Sequence, residues 1–193
     1  MKIGVPSEIK AQESRVGLTP LSVQELTNHG HEVLIQDNAG FGAGFENEDY
    51  QNAGASIAPT AGDIFNDSDM IVKVKEPQSE EVSMLRENQL LFTYLHLSAA
   101  PELTKGLVES KSICIAYETV TDENNRLPLL APMSAVAGRM SIQAGAHSLE
   151  KPQGGRGLLI GGAPGVNPGN VLILGGGVVG ENAATIATGM EAK

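Results

Sequence analysis

The 193 residues carry 23 acidic and 13 basic side chains, a formal net charge of −10, and 41% of them are hydrophobic. This length suits one complete domain and part of another, with the composition of an ordinary soluble globular protein. The acidic balance disfavours nucleic acids and anionic membranes as partners, because both require clustered lysine and arginine.

Short apolar runs alternate with helical segments over the first two-thirds of the chain. The predicted strands are KIGV (2–5), HEVLIQ (31–36), ASIA (55–58), DMIVKV (69–74), LLFTYL (90–95) and SICIAY (112–117). Four helices are predicted. The first begins at the Thr19-Pro20 cap and ends at Gly30, and the second covers EDYQNA. The third lies near SEEVSML, and the fourth runs from Pro101 to Ser110. Thr60 is predicted to cap only a turn. This alternation predicts an α/β fold, a mostly parallel sheet with helices on both faces.

The residue composition of the chain changes near its last third. PMSAVAGRMSIQAGAHSLEK predicts one long helix whose small residues pack closely against another helix or a cofactor. A segment rich in glycine and proline follows, and VLIL (171–174) is predicted as a strand that leads into GGGVVG. We therefore predict an N-terminal domain over 1–130. Residues 131–193 are predicted to form a connector helix and the start of a second domain.

The GGGVVG segment has the G-x-G-x-x-G spacing of a dinucleotide-binding turn. Gly175 permits the tight turn, Gly177 lets the backbone approach a pyrophosphate, and Gly180 allows close packing of the following helix. The acidic residue that binds the ribose is expected about 20 residues further on, which lies beyond Lys193. The segment therefore predicts the incomplete start of a Rossmann NAD-binding domain.

Other single features carry less information about function. Cys114 is the only cysteine, so no intramolecular disulfide is possible, which fits a reducing cytoplasm. We expect Cys114, His29, His31 and His147 to be structural. No apolar run approaches the roughly 20 residues that span a bilayer. No signal peptide and no metal site are predicted.

The whole chain resembles the N-terminal half of alanine dehydrogenases and, more distantly, the alpha subunit of proton-translocating nicotinamide nucleotide transhydrogenase. The blocks that carry the resemblance are GVPSEIKAQESRVGLTP, IVKVKEP, LLFTYLHLSA, AYETV, LPLLAPMSAVAGR and QGGRGLLIGGAPGV. The resemblance implies NAD-dependent, reversible conversion of L-alanine to pyruvate and ammonium in a cytoplasmic homo-oligomer, a hexamer in the family. We expect the chain to be a fragment that is inactive by itself.

Three residues match substrate-site positions of that family. Arg15, in ESRVGLTP, matches the arginine that holds the substrate carboxylate, a task that suits its rigid donor fork. Lys75, in KVKEP, matches a second substrate-contacting cation, although spacing alone does not choose between Lys75 and Lys73. His96, in FTYLHLSA, matches the proton donor and acceptor. Each follows a predicted strand or lies in the loop after one.

The resemblance also implies residues that contact NAD. Ser134 matches a cofactor-contacting residue, although its hydroxyl near a helix start is equally suited to a cap. Val178 and Val179 would offer backbone N–H groups beside Gly175, Gly177 and Gly180. Family members often carry an acidic residue where this chain has Ala135.

Two alternative functions stay open at this point. A transhydrogenase subunit would pass hydride between two nucleotides, but the Arg/Gln/Asp loop expected around LPLLAPMSAVAG is not found. A non-catalytic binding or assembly module would keep the fold without the chemistry.

Overall fold

The computed structural model describes residues 1–193, which divide into two compact units, Met1–Val120 and Thr121–Lys193. This division falls earlier in the chain than the domain boundary predicted at 130/131. None of the helices combines the length and the apolar character required to cross a membrane.

The first unit is built on a six-stranded sheet in which every pairing is parallel. Its strands are β1 (Lys2–Val5), β2 (Glu32–Gln36), β3 (Ser56–Ala58), β4 (Met70–Val72), β5 (Leu90–Thr93) and β6 (Ile113–Ala116). The spatial order is β3-β2-β1-β4-β5-β6. The predicted α/β fold with a parallel sheet is confirmed, and each strand lies inside its predicted segment.

Five helices cover the sheet: α1 (Pro20–Asn28), α2 (Asn47–Asn52), α3 (Ala61–Asp67), α4 (Ser79–Val82) and α5 (Pro101–Ser110). The prediction of a mere turn after Thr60 was wrong. Thr60 Oγ1 accepts from the Asp63 N–H at 3.2 Å, and an Asp63 carboxylate oxygen accepts from the Thr60 N–H at 3.1 Å. This reciprocal capping box satisfies donors at both positions and stabilises a full helix.

Alternate residues of the strands enter two separate cores, one on each face of the sheet. Residues such as Val5, Ile35 and Val72 pack with side chains of α1 and α2. Their neighbours, such as Ile71 and Leu91, pack with side chains of α3, α4 and α5. Both faces of the sheet are therefore covered by helices, as parallel sheets require.

The strand order reverses between β1 and β4, and this reversal decides where a ligand can bind. Parallel sheets of this order bind ligands outside the carboxyl ends of the strands, at the point of reversal. The loops that follow β1 and β4 meet there. Glu8 connects them, because its Oε1 accepts from the Val74 N–H at 2.6 Å.

The second unit consists mainly of α6 (Ala131–Ser148) and α7 (Val178–Gly189), which share a core centred on Ile142 and Ala183. A Cβ added at Gly138 would lie 2.2 Å from the Val179 carbonyl oxygen, so the two helices approach closely only because that position is glycine. The close helix packing predicted from the small residues of α6 is confirmed.

The predicted strand at 171–174 was wrong. The segment makes no strand pairing, and Leu172 and Leu174 are 84% and 89% exposed. A β-strand requires a neighbour that satisfies its backbone groups, and the second unit contains no other strand. The segment still leads directly into the glycine turn and α7.

Candidate functional site

The three predicted substrate residues lie on loops that follow three adjacent strands. Arg15 lies between β1 and α1, Lys75 follows β4, and His96 follows β5. Because β1, β4 and β5 are neighbours in a parallel sheet, these loops emerge at one edge, beside the reversal of strand order. The positive charges of Arg15 and Lys75 both act on Glu13. The fold therefore brings these three loops together.

Arg15 is held by the carboxylate of Glu13. Its Nε donates to Glu13 Oε1 at 2.8 Å and its Nη2 donates to Glu13 Oε2 at 2.6 Å. The Glu13 side chain is only 8% exposed, whereas that of Arg15 is 46% exposed. The hydrogen bond from Arg15, assisted by the positive charges of Arg15 and Lys75, lowers the pKa of Glu13 to about 2. Glu13 therefore remains a carboxylate throughout the physiological range.

The structure separates the two lysines that spacing left equivalent. Lys73 is fully buried, with its Nζ 2.6 Å from Glu81 Oε1 and 3.3 Å from Glu8 Oε2. Lys75 is half-buried, and its carbonyl oxygen accepts a 2.9 Å hydrogen bond from Thr93 Oγ1. Lys73 is therefore part of the core, which leaves Lys75 as the candidate cation of the site.

His96 has a backbone conformation that non-glycine residues rarely adopt. Its φ is +51°, and its N–H donates to Glu118 Oε1 at 2.7 Å. The neighbouring Leu95 N–H donates to the same carboxylate at 3.1 Å. A left-handed conformation away from glycine costs free energy, and such conformations cluster at functional sites. His96 is exposed, and the hydrogen bonds to Glu118 hold its backbone in this conformation.

Aromatic side chains form one wall of this edge. The ring of His96 stacks on Tyr94, with centroids 6.1 Å apart and planes 12° apart. The Tyr117 ring contacts Tyr94 and Phe92 edge-on, with ring centroids 4.9 Å and 4.3 Å apart, respectively. Burial raises the pKa of Tyr117 and of Tyr94 above the usual tyrosine value, so both phenols stay neutral near pH 7. The wall can orient the imidazole without adding charge.

The glycine turn in the second unit has the local geometry that its spacing predicts. Gly175 has φ +103°, and Gly177 is the N-cap of α7. A Cβ on Gly180 would lie 2.0 Å from the Gly175 carbonyl oxygen, whereas a Cβ on Gly177 would meet no atom within 4 Å. The backbone at Gly177 is thus open to a ligand. The first N–H groups of α7, from Val178 onward, lack partners within the helix and favour phosphate.

Ser134 lies with the glycine turn along one cavity of about 740 Å³ in the second unit, together with Gly175, Gly177, Val178, Val179 and Gly180. The structure therefore brings all six predicted cofactor residues together. The capping alternative for Ser134 was wrong, because Leu130 is the N-cap of α6 and the Ser134 N–H donates to its carbonyl at 3.0 Å. Val178 and Val179 contribute the first backbone turn of α7.

Sequence reasoning missed the residues that hold the candidate side chains. Glu13 and Glu118 are carboxylates whose partners are Arg15 and the His96 backbone, and Tyr94 stacks on His96. The only available signal for Glu13 was its position in the same short segment as Arg15. Glu118 lies far along the chain from His96, and nothing in the sequence connects the two.

Comparison with known proteins gives two family matches in chain order. Residues 4–137 match the model of "Alanine dehydrogenase/PNT, N-terminal domain", and residues 141–193 match that of "Alanine dehydrogenase/PNT, C-terminal domain".

Relatives match over the whole chain. The chain is 57% identical to an alanine dehydrogenase of Halomonas elongata and 54% identical to one of Bacillus subtilis, covering 100% of this chain and 52% and 50% of those proteins. A solved L-alanine dehydrogenase, 56% identical, superposes with a TM-score of 0.91 over 100% of this chain and 53% of its own.

A transhydrogenase from Sinorhizobium meliloti, 23% identical, superposes with a TM-score of 0.80 over 100% of this chain and 57% of its own, and shows a shared fold. The chain spans about half the length of the relatives it matches. With both domain models matched in order across nearly all of its residues, the chain belongs to the alanine dehydrogenase/PNT family.

Proposed function

We propose that this chain supplies the N-terminal half of an NAD-dependent alanine dehydrogenase, a cytoplasmic oxidoreductase that converts L-alanine reversibly to pyruvate and ammonium. The observation that carries the proposal is the convergence of the Arg15, Lys75 and His96 loops at the reversal of strand order. The relatives at 54% and 57% identity, named alanine dehydrogenases, support the same reaction. The family resemblance further supports a homo-hexameric assembly.

Each side chain has a defined task in the proposed reaction. The Arg15 guanidinium binds the substrate carboxylate, because its planar fork matches two oxygens. The Lys75 ammonium orients the carbonyl oxygen of pyruvate and stabilises the negative charge that develops on it. His96 transfers protons as water adds to the imine and ammonia leaves. NAD, when bound, supplies the hydride acceptor for the alanine Cα.

The second unit supplies part of the proposed cofactor site. The open backbone at Gly177 and the first N–H groups of α7 suit the pyrophosphate of NAD, with Ser134 along the same cavity. The ribose-binding acid of such sites is expected about 20 residues after the turn. Residues 1–193 do not include it, so we propose that this chain alone binds NADH weakly and does not oxidise alanine. The preference for NAD over NADP rests on the family resemblance.

The transhydrogenase alternative is supported by fold alone, at 23% identity.

A pyruvate titration of the 193-residue chain, followed by nuclear magnetic resonance, tests the proposed substrate site. Shifts should be confined to the amides near Arg15, Lys75 and His96. A chain that folds but shows no such shifts would contradict the proposed site and favour a non-catalytic module.

Arg15→Lys should weaken pyruvate binding in that titration by on the order of tenfold, because a single ammonium cannot reproduce the two-pronged contact. The matched control is Arg156→Lys, which makes the same change at an exposed arginine of the second unit. Equal affinities for the Arg15→Lys variant and the unmodified chain would remove Arg15 from the site.

A further inference from the structure

Glu13 makes more contacts with Arg15 than a surface ion pair requires. Its two oxygens accept from Nε at 2.8 Å and from Nη2 at 2.6 Å, and Oε1 also accepts from the Arg15 backbone N–H at 2.9 Å. The Glu13 side chain is 92% buried, while that of Arg15 reaches solvent. One carboxylate therefore fixes both ends of the arginine, its backbone and its guanidinium.

This arrangement determines how Arg15 can meet a substrate. An arginine held at its Nε edge has one orientation of the guanidinium plane, so little side-chain freedom remains to be lost on binding. A free arginine would sample many rotamers and lose that freedom when it gripped a carboxylate. Preorganised donors of this kind increase affinity without making new contacts to the ligand.

We propose that Glu13 is a positioning residue, which orients the Arg15 guanidinium for the carboxylate of the substrate and stays bound to it in the complex. This inference rests on the proposed function, because it takes Arg15 as the carboxylate ligand. Glu13 touches neither substrate nor cofactor in this role and acts only through Arg15.

In the opposite role, Glu13 would compete with the substrate, and its carboxylate would occupy the Arg15 guanidinium until the substrate carboxylate displaced it. The geometry argues against displacement. Glu13 Oε1 is anchored to the Arg15 backbone as well as to its side chain, and the carboxylate is almost fully enclosed. A Glu13 carboxylate that had to leave the guanidinium when substrate binds would not also be hydrogen-bonded to the Arg15 backbone. The two roles predict opposite signs for the effect of removing the charge.

The test is the pyruvate titration of the 193-residue chain and its Glu13→Gln and Glu13→Asp variants, with Glu87→Gln as the control at an exposed glutamate. Glutamine has the size of glutamate but can accept from the guanidinium with only one oxygen. Glu13→Gln should weaken pyruvate binding by on the order of tenfold, because the Arg15 guanidinium loses one of its two accepting oxygens and the opposite charge, and so regains freedom that binding must remove. Glu13→Asp should recover part of the loss, and Glu87→Gln should match the unmodified chain.

A second readout separates positioning from a general loss of structure. Relaxation of the Arg15 Nε–H group should report a rigid side chain in the unmodified chain and a mobile one in Glu13→Gln, while distant amides keep their shifts. Unchanged or tighter pyruvate binding by Glu13→Gln, or an Arg15 that stays rigid, would overturn the inference and leave the proposed function standing. Absence of pyruvate binding by the unmodified chain would overturn both.

Discussion

Replacing His96 by alanine should lower the turnover of alanine oxidation by at least about a hundredfold, the lower range of what a placed acid–base group contributes. The assay uses a chimaera in which residues 1–193 are followed by the second half of the Halomonas elongata relative, of which they cover 52%. His96 is exposed and its backbone N–H, not its ring, holds Glu118. Removal of the imidazole should therefore leave the fold intact.

The control for this prediction is His29→Ala. His29 is also exposed and in the same unit, where its ring lies against Glu25 at the end of α1. Turnover should be normal in that variant. If His96→Ala instead lowered stability while the folded protein kept its specific activity, His96 would be a structural residue.

Replacing Lys73 by methionine should destabilise the first unit by about 3–5 kcal/mol, the usual cost of removing one partner from a buried ion pair. The side chains of Glu8 and Glu81 are only 2% and 3% exposed, and both would lose their cation. Lys75→Met should change stability by no more than about 0.5 kcal/mol, because Lys75 is only half-buried and is not part of the buried ion pairs that Lys73 makes. Urea unfolding should thus distinguish two lysines that are equivalent by spacing.

Tyrosine fluorescence makes this measurement specific to the first unit. The chain has no tryptophan, and its three tyrosines, Tyr50, Tyr94 and Tyr117, all lie in that unit. A Lys73→Met variant within 1 kcal/mol of the unmodified chain would show that the buried pair contributes little. Normal stability of Lys75→Met with reduced pyruvate binding would place Lys75 in the site.

The cost of Lys73→Met should also depend on pH. Burial raises the pKa of Glu81, and the nearby Lys73 opposes this rise. Without Lys73 the folded-state pKa of Glu81 should rise further above its value in the unfolded chain. A carboxyl whose folded pKa is raised favours the fold at low pH and loses that contribution as the pH increases through the folded pKa. The difference in unfolding free energy between Lys73→Met and the unmodified chain should therefore be smallest in acid and largest near neutral pH.

The elements of the sheet were predictable because each strand is a short apolar run bounded by turn or helix signals. Local chemistry also predicted the start of α1, where Thr19 Oγ1 accepts from the Ser22 N–H. The helix after Thr60 was missed although its capping box lies in the sequence, because Thr60 was considered without Asp63. Residues 171–174 were predicted as a strand that does not form, because an apolar run becomes a strand only beside another strand.

The candidate substrate residues were chosen from the family resemblance, and their surroundings were not predictable. The choice of Lys75 over Lys73 depends on the burial of Lys73 between Glu81 and Glu8, and Glu8 is distant in sequence and reaches Lys73 only through the sheet order. The Glu118 contact to His96 depends on the pairing of β5 with β6. Such contacts are set by tertiary structure, and no local pattern in one sequence encodes them.

The most direct test of the proposed function is the initial rate of NADH formation by the chimaera with L-alanine and NAD as the only substrates. The chimaera should show steady, alanine-dependent NADH production, and the 193-residue chain alone should show none under the same conditions. A folded chimaera that binds NAD but forms no NADH from alanine would contradict it, as would sustained production by the 193-residue chain alone.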